Sequence, residues 1–108
     1  MTQTPRRLPE TDFSYGPIAV PLSETTITTS TVYVLSIYLS SVDATTNRQV
    51  TIKDGNGLTI LTPVVASLAV APPIEYRDGL TFQNGIKVSC DAADAVIIQI
   101  YGKRKLPT

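Results

Sequence analysis

An all-β fold, two antiparallel sheets packed as a sandwich or jelly roll of about eight strands, is what this sequence predicts. Three observations carry the prediction. Apolar residues recur at every second position in short runs, as strands half-buried on one face require. Turn-forming Asp-Gly and Asn-Gly pairs punctuate these runs at about the 8–12-residue spacing of small β-domains. No run shows the 3.6 period of a helix longer than one turn. The length, 108 residues, suits one domain and not two with separate cores. An OB-like or other small barrel is the alternative, because strand count alone does not decide closure.

Taken in order, residues 1–12 (MTQTPRRLPETD) hold two prolines and the Arg6–Arg7 pair without any apolar period, and read as an extended N-terminal arm. The domain is expected over 13–102. Residues 13–29 are extended, and Pro17 and Pro21 fit an edge strand or a strap along the domain. In the strand 31–40, Tyr33, Leu35, Ile37 and Leu39 line one face, while Val32, Val34 and Tyr38 make the other apolar too. Such a strand is central and covered on both sides.

Residues 40–48 read as a polar turn. Gln49–Lys53 and Leu58–Thr62 flank Asp54-Gly55-Asn56-Gly57, a β-hairpin signal in which Val50 and Ile52 face Leu58 and Ile60. The run Val64–Ala71 reads as a strand, or failing that one helical turn, and Pro72-Pro73 ends it. Ile74–Arg77 is a short strand, Asp78-Gly79 a turn, and Leu80 and Phe82 alternate inward. After Asn84-Gly85 come Ile86, Val88 and Cys90, and 91–94 is the last turn. The final strand, 95–101, puts Val96, Ile98 and Ile100 on one face and Ile97, Gln99 and Tyr101 on the other. A short basic tail, 103–108, follows. The expected core is Leu35, Ile37, Val50, Ile52, Phe82, Val88, Ile98 and Ile100.

The chemistry of the chain argues against catalysis. With no histidine it lacks the usual neutral-pH base and the commonest metal ligand, and one cysteine cannot build a thiolate zinc site. Asp43, Asp54, Asp78, Asp91 and Asp94 all fall at turns, where aspartate bonds its own backbone. Residues 53–57 lack the regular oxygen ligands of a calcium loop. No catalytic residue, metal or cofactor is expected, and Cys90 reads as a small buried hydrophobe. Nine basic against nine acidic residues give no net field toward nucleic acid, and two Phe with no Trp make a poor stacking platform. No segment approaches 18 apolar residues, and the polar N-terminus does not read as a signal peptide, so no membrane role is expected. Charged residues make up 17% of the chain, below the roughly 25% of average domains, and 15 threonines fill the gap. That suits a protein that hides much of its surface in an assembly.

The strand TVYVLSIYLS, the hairpin TNRQVTIKDGNGLTI, the pair PIEYRDGLTFQNGIKVSC and the closing AVIIQIYGKRK together resemble small β-sandwich structural proteins of tailed bacteriophages, over about residues 30–103. The resemblance implies a non-enzymatic virion protein, foremost a decoration (cement) protein that stabilises the major capsid lattice. Neck, tail or baseplate accessory proteins and receptor- or carbohydrate-binding modules are the alternatives, and a nucleic-acid-binding barrel ranks below them. A carbohydrate module would need Tyr, Trp or His rimming a groove, of which the chain offers few. The expected partners are the major capsid protein or another virion protein and further copies of the chain, a trimer by preference, in a virion assembled in the host cytoplasm. The candidate interface residues are Arg6, Arg7, Val32, Val34, Tyr38, Ile97, Tyr101, Lys103, Arg104 and Lys105. For the apolar ones the competing explanation is that segment 13–29 folds back over them as a strap.

Overall fold

The structure of the chain, a computed structural model, describes residues 10–105. They form nine strands: β1 (Glu10–Ala19), β2 (Thr25–Thr28), β3 (Val32–Ser41), β4 (Arg48–Asp54), β5 (Thr59–Leu61), β6 (Val64–Val65), β7 (Ile74–Phe82), β8 (Ile86–Cys90) and β9 (Val96–Lys105). All pairings are antiparallel. One sheet has the order β1-β9-β3-β7; the other has β2-β8-β4-β5, with β6 on β4. The two sheets enclose one core in a sandwich-like arrangement. Ile37, Leu39, Phe82, Ile98 and Ile100 come from the first sheet and Val50, Ile52, Val65, Ile86 and Val88 from the second.

Placement within the sheets follows sequence character closely. The two strands apolar on both sides, β3 and β9, are the two central strands of the four-stranded sheet. The proline-bearing segment 13–29 supplies the edge strands β1 and β2, where a missing N–H leaves no gap in a two-sided ladder. The Asp54–Gly57 hairpin forms. Asp54 Oδ1 accepts the amides of Asn56 (2.9 Å) and Leu58 (3.0 Å), a self-capped turn that accounts for this buried carboxylate. The turn is docked on the next one through Gly55 N–H to Gln83 O (2.8 Å) and Asn84 Nδ2 to Asn56 Oδ1 (3.0 Å). Its register pairs Ile52 with Leu61 and Lys53 with Thr59, leaving Ile60 as an extra residue and Leu58 exposed, so the expected facing of Val50 and Ile52 with Leu58 and Ile60 does not hold.

Several expectations are corrected. Residues 10–12 of the expected arm belong to β1, and 103–105 of the expected tail belong to β9, where Asp12 and Lys103 are register partners. Only Val64 and Val65 of the 64–71 run form a strand; Ala66–Ala69 turns, and Val70 makes an isolated bridge to Ser40. Asp78-Gly79 is no hairpin turn, because Ile74–Phe82 is one strand and both its halves pair with β3.

The most consequential correction lies in β3. Its register shifts between Val34 and Ser36 against both neighbours, so Leu35 is a bulge residue. A bulge advances the two-residue alternation by one position. The buried positions are therefore Val32, Val34, Ile37 and Leu39, and not the evenly spaced set Tyr33, Leu35, Ile37 and Leu39. Leu35 leaves the expected core, and Val32 and Val34, both fully buried, leave the expected interface.

Candidate functional site

The outer faces of the two sheets differ in chemistry. Along β4 and β8 of the five-stranded sheet the inward set Val50, Ile52, Val88 and Cys90 alternates with Gln49, Thr51, Lys53, Lys87 and Ser89, a polar surface with exposed Val64, the register partner of Gln49, at its margin. Lys53 and Lys87 are direct register partners there, and Glu24 relieves the repulsion from 3.6 Å away from Lys53. On the four-stranded sheet the outward positions carry Tyr33, Tyr38, Ile97 and Tyr101, with Ser36, Ser40 and Gln99 between them.

At the centre, the Tyr38 and Tyr101 rings meet edge to face with centroids 5.8 Å apart, and the Gln99 amide donates to the Tyr101 hydroxyl. Pairing of this kind holds the rings rigid while about 40% of Tyr101 and 38% of Tyr38 stay open to water. Beside them a shallow recess of about 180 Å3 is lined by Pro17, Tyr38, Leu39, Ser40, Val70, Ile97 and Gln99. Val70 is 80% exposed, and hydrogen bonds from Ala71 N to Leu39 O and Ser41 N to Ala69 O hold its segment in place. Val42 and Leu68 extend the apolar surface along this edge, tied by Leu68 N to Asp43 O (2.9 Å). β1 lies beside β9 as an edge strand, and only Pro17 reaches the recess, so segment 13–29 is not a strap over the tyrosines.

Of the sequence candidates, the structure thus brings Tyr38, Ile97 and Tyr101 together on one surface. Lys103 is half-buried on the same strand and donates to Asp12, which holds that carboxyl below its usual range. Arg104 is exposed. Arg6 and Arg7 lie outside the described residues, as does the Lys105 side chain. Sequence reasoning missed Val70 and Pro17, which come to the face only through the Ser40–Val70 bridge and the β1–β9 pairing. Cys90 is buried in the core, and burial pushes its thiol above the ordinary range, which keeps it protonated and unreactive. No group of three metal-ligating side chains occurs among the described residues.

Next to the apolar edge, Asp43 organises the 41–48 turn. Its Oδ1 accepts the amides of Thr45 and Thr46 (2.9 Å each), and its Oδ2 accepts Arg48 Nε at 2.8 Å. The Thr45 amide, then Arg48 and the Thr46 amide, hold the carboxyl well below the usual carboxylate range. A depressed folded-state pKa means stability that is present above the unfolded value of about 4 and lost as pH falls through the lower folded value. The melting temperature should therefore fall on acidification below about pH 4. Asp43→Asn should melt lower than wild type at neutral pH, and the gap should close in acid. Circular-dichroism melts from neutral pH down to about pH 2 check this; parallel curves would show that the charge of Asp43 contributes nothing.

No protein-family model matches the chain, and no curated protein matches it.

Proposed function

We propose that the chain is a non-enzymatic virion structural protein, a decoration protein that binds the major capsid lattice through protein–protein contacts and assembles with copies of itself. The observation that carries this reading is the difference between the two sheet faces. A small sandwich ordinarily solvates its outer faces, and the five-stranded sheet does so along β4 and β8 with Thr, Ser, Gln and Lys, Val64 at the margin excepted. The four-stranded sheet instead exposes Tyr38, Tyr101 and half-buried Ile97, with Val70 bridged beside them, in one patch, the composition of an interface core. Tyrosine is suited to anchor such a contact, giving large area with a hydroxyl that stays hydrogen-bonded at the rim.

The strand order supports the finer reading of the fold as a jelly roll. The pairing order β1-β9-β3-β7 opposite β2-β8-β4-β5 has successive strands crossing between sheets except along β4–β5–β6, and jelly rolls are recurrent in viral capsid domains. Absence of histidine supports a non-catalytic role. The resemblance to decoration proteins, which cap local threefold positions, favours a trimer and a virion assembled in the host cytoplasm.

Light scattering at tens of micromolar should give a molar mass above that of one chain. The Tyr38→Asp/Tyr101→Asp double variant should run as a folded monomer and lose occupancy on purified particles, since each substitution places a charge in a desolvated contact. A monomeric wild type that also touches no like subunit on the particle would remove the oligomer and weaken the decoration reading with it.

A further inference from the structure

We propose that a second site, the cleft between β3 and β7, binds a neutral saccharide. It is a shallow depression, wide open to solvent, of about 610 Å3 and lined by Leu35, Ser36, Tyr38, Glu75, Tyr76 and Arg77. It exists because both strands break their ladder at the same level. Leu35 bulges from β3, and residues 76–79 of β7 stand opposite it, between the register pairs Val34–Leu80 and Ser36–Glu75. Gly79, at φ +85°, turns the backbone back into the sheet, where an added β-carbon would lie 3.1 Å from Tyr33 Cβ and 3.6 Å from Leu35 Cδ2. Coincident irregularities of this kind re-aim side chains, and here Tyr76 and Arg77 line one depression with Tyr38 and Glu75.

The chemistry of the lining selects the ligand. Tyr38 and Tyr76 offer ring surface for the C–H face of a pyranose. The side chains of Ser36, Glu75 and Arg77 have no hydrogen bond or ion pair among the described residues, so a carboxylate, a guanidinium and a hydroxyl are free for vicinal hydroxyl groups. One acid and one base give no net charge with which to select an ion. An added peptide strand is disfavoured because the 76–79 excursion interrupts the edge of β7. Tyr38 divides the two surfaces: its ring meets Tyr101 on the β9 side and lines the cleft on the β7 side. The inference does not rest on the capsid reading.

The test is a titration of the 15N-labelled full chain with maltohexaose, cellohexaose, chitohexaose and mannohexaose, each to about 10 mM. At least one should give saturable shifts centred on Ser36, Tyr38, Glu75, Tyr76 and Arg77, with an affinity unchanged between about 0.05 and 0.5 M salt. Tyr76→Ala and Glu75→Gln should each weaken binding about tenfold, while Lys87→Gln, on the opposite sheet, leaves it within about twofold. Glu75 is exposed, so Glu75→Gln keeps the test intact should Tyr76→Ala unfold. No response to any of the four sugars, or shifts centred elsewhere, would overturn the proposal. Because Glu75 and Tyr76 lie outside the recess beside the Tyr38–Tyr101 pair, failure of sugar binding and failure of assembly are read separately.

Discussion

Gly85→Ala should cost about 3–5 kcal/mol of unfolding free energy, the sum of backbone strain and overpacking at one position. Gly85 sits at φ +126°, where an L side chain is strained whatever the space, and a β-carbon there would lie 2.1 Å from the Thr28 carbonyl oxygen. That oxygen belongs to the last residue of β2, whose register partner is Ile86, so the neighbour cannot move without disturbing the edge of the five-stranded sheet. The Asn84-Gly85 turn is also held from two other directions, by Asn84 N–H to Thr31 Oγ1 (3.1 Å) and by Asn84 Nδ2 to Asn56 (3.0 Å). Small domains are stable by about 5–15 kcal/mol, so the loss is a large share of the whole. Urea unfolding with linear extrapolation measures it. A cost under about 1 kcal/mol would mean that β2 yields freely at Thr28.

Ile98→Ala should cost about 2–5 kcal/mol, through lost transfer energy and the cavity left behind. Ile98 is fully buried on the central strand β9, with Leu39 of β3 as its register partner. Backbone pairing on both sides of β9 resists collapse into the void, which places the cost in the upper part of that range. Leu35→Ala is the informative control. Before the bulge is known the two residues look equivalent, each an aliphatic in a period-two run. With Leu35 on the outer, partly solvated face, its truncation should cost about 1 kcal/mol. Equal losses in the same urea experiment would contradict the register of β3.

The contrast between Ile98 and Leu35 marks where sequence reasoning stops. The hairpin at 54–57, the central position of β3 and β9 and the edge position of the proline-bearing segment were all legible, because each follows from a local property: a turn residue's backbone freedom, apolarity on both faces, a missing N–H. Seven of the eight expected core residues are buried for the same reason, the period of two acting within each strand. Leu35 is the eighth. A strand apolar on both faces carries no pattern that distinguishes an unbroken alternation from one shifted by a bulge, and only pairing with β7 and β9 decided which face turned inward. The same limit hid the surface. Tyr38, Ile97 and Tyr101 were readable as outward residues of central strands, but Val70, Pro17, Glu75 and Tyr76 lie far from them along the chain and join them only through strand pairing and the coincident irregularities of β3 and β7. Period and turn chemistry are properties of a few neighbouring residues and survive in one dimension. Register, and with it the composition of a face, is set by contacts between distant segments, and belongs to the tertiary structure.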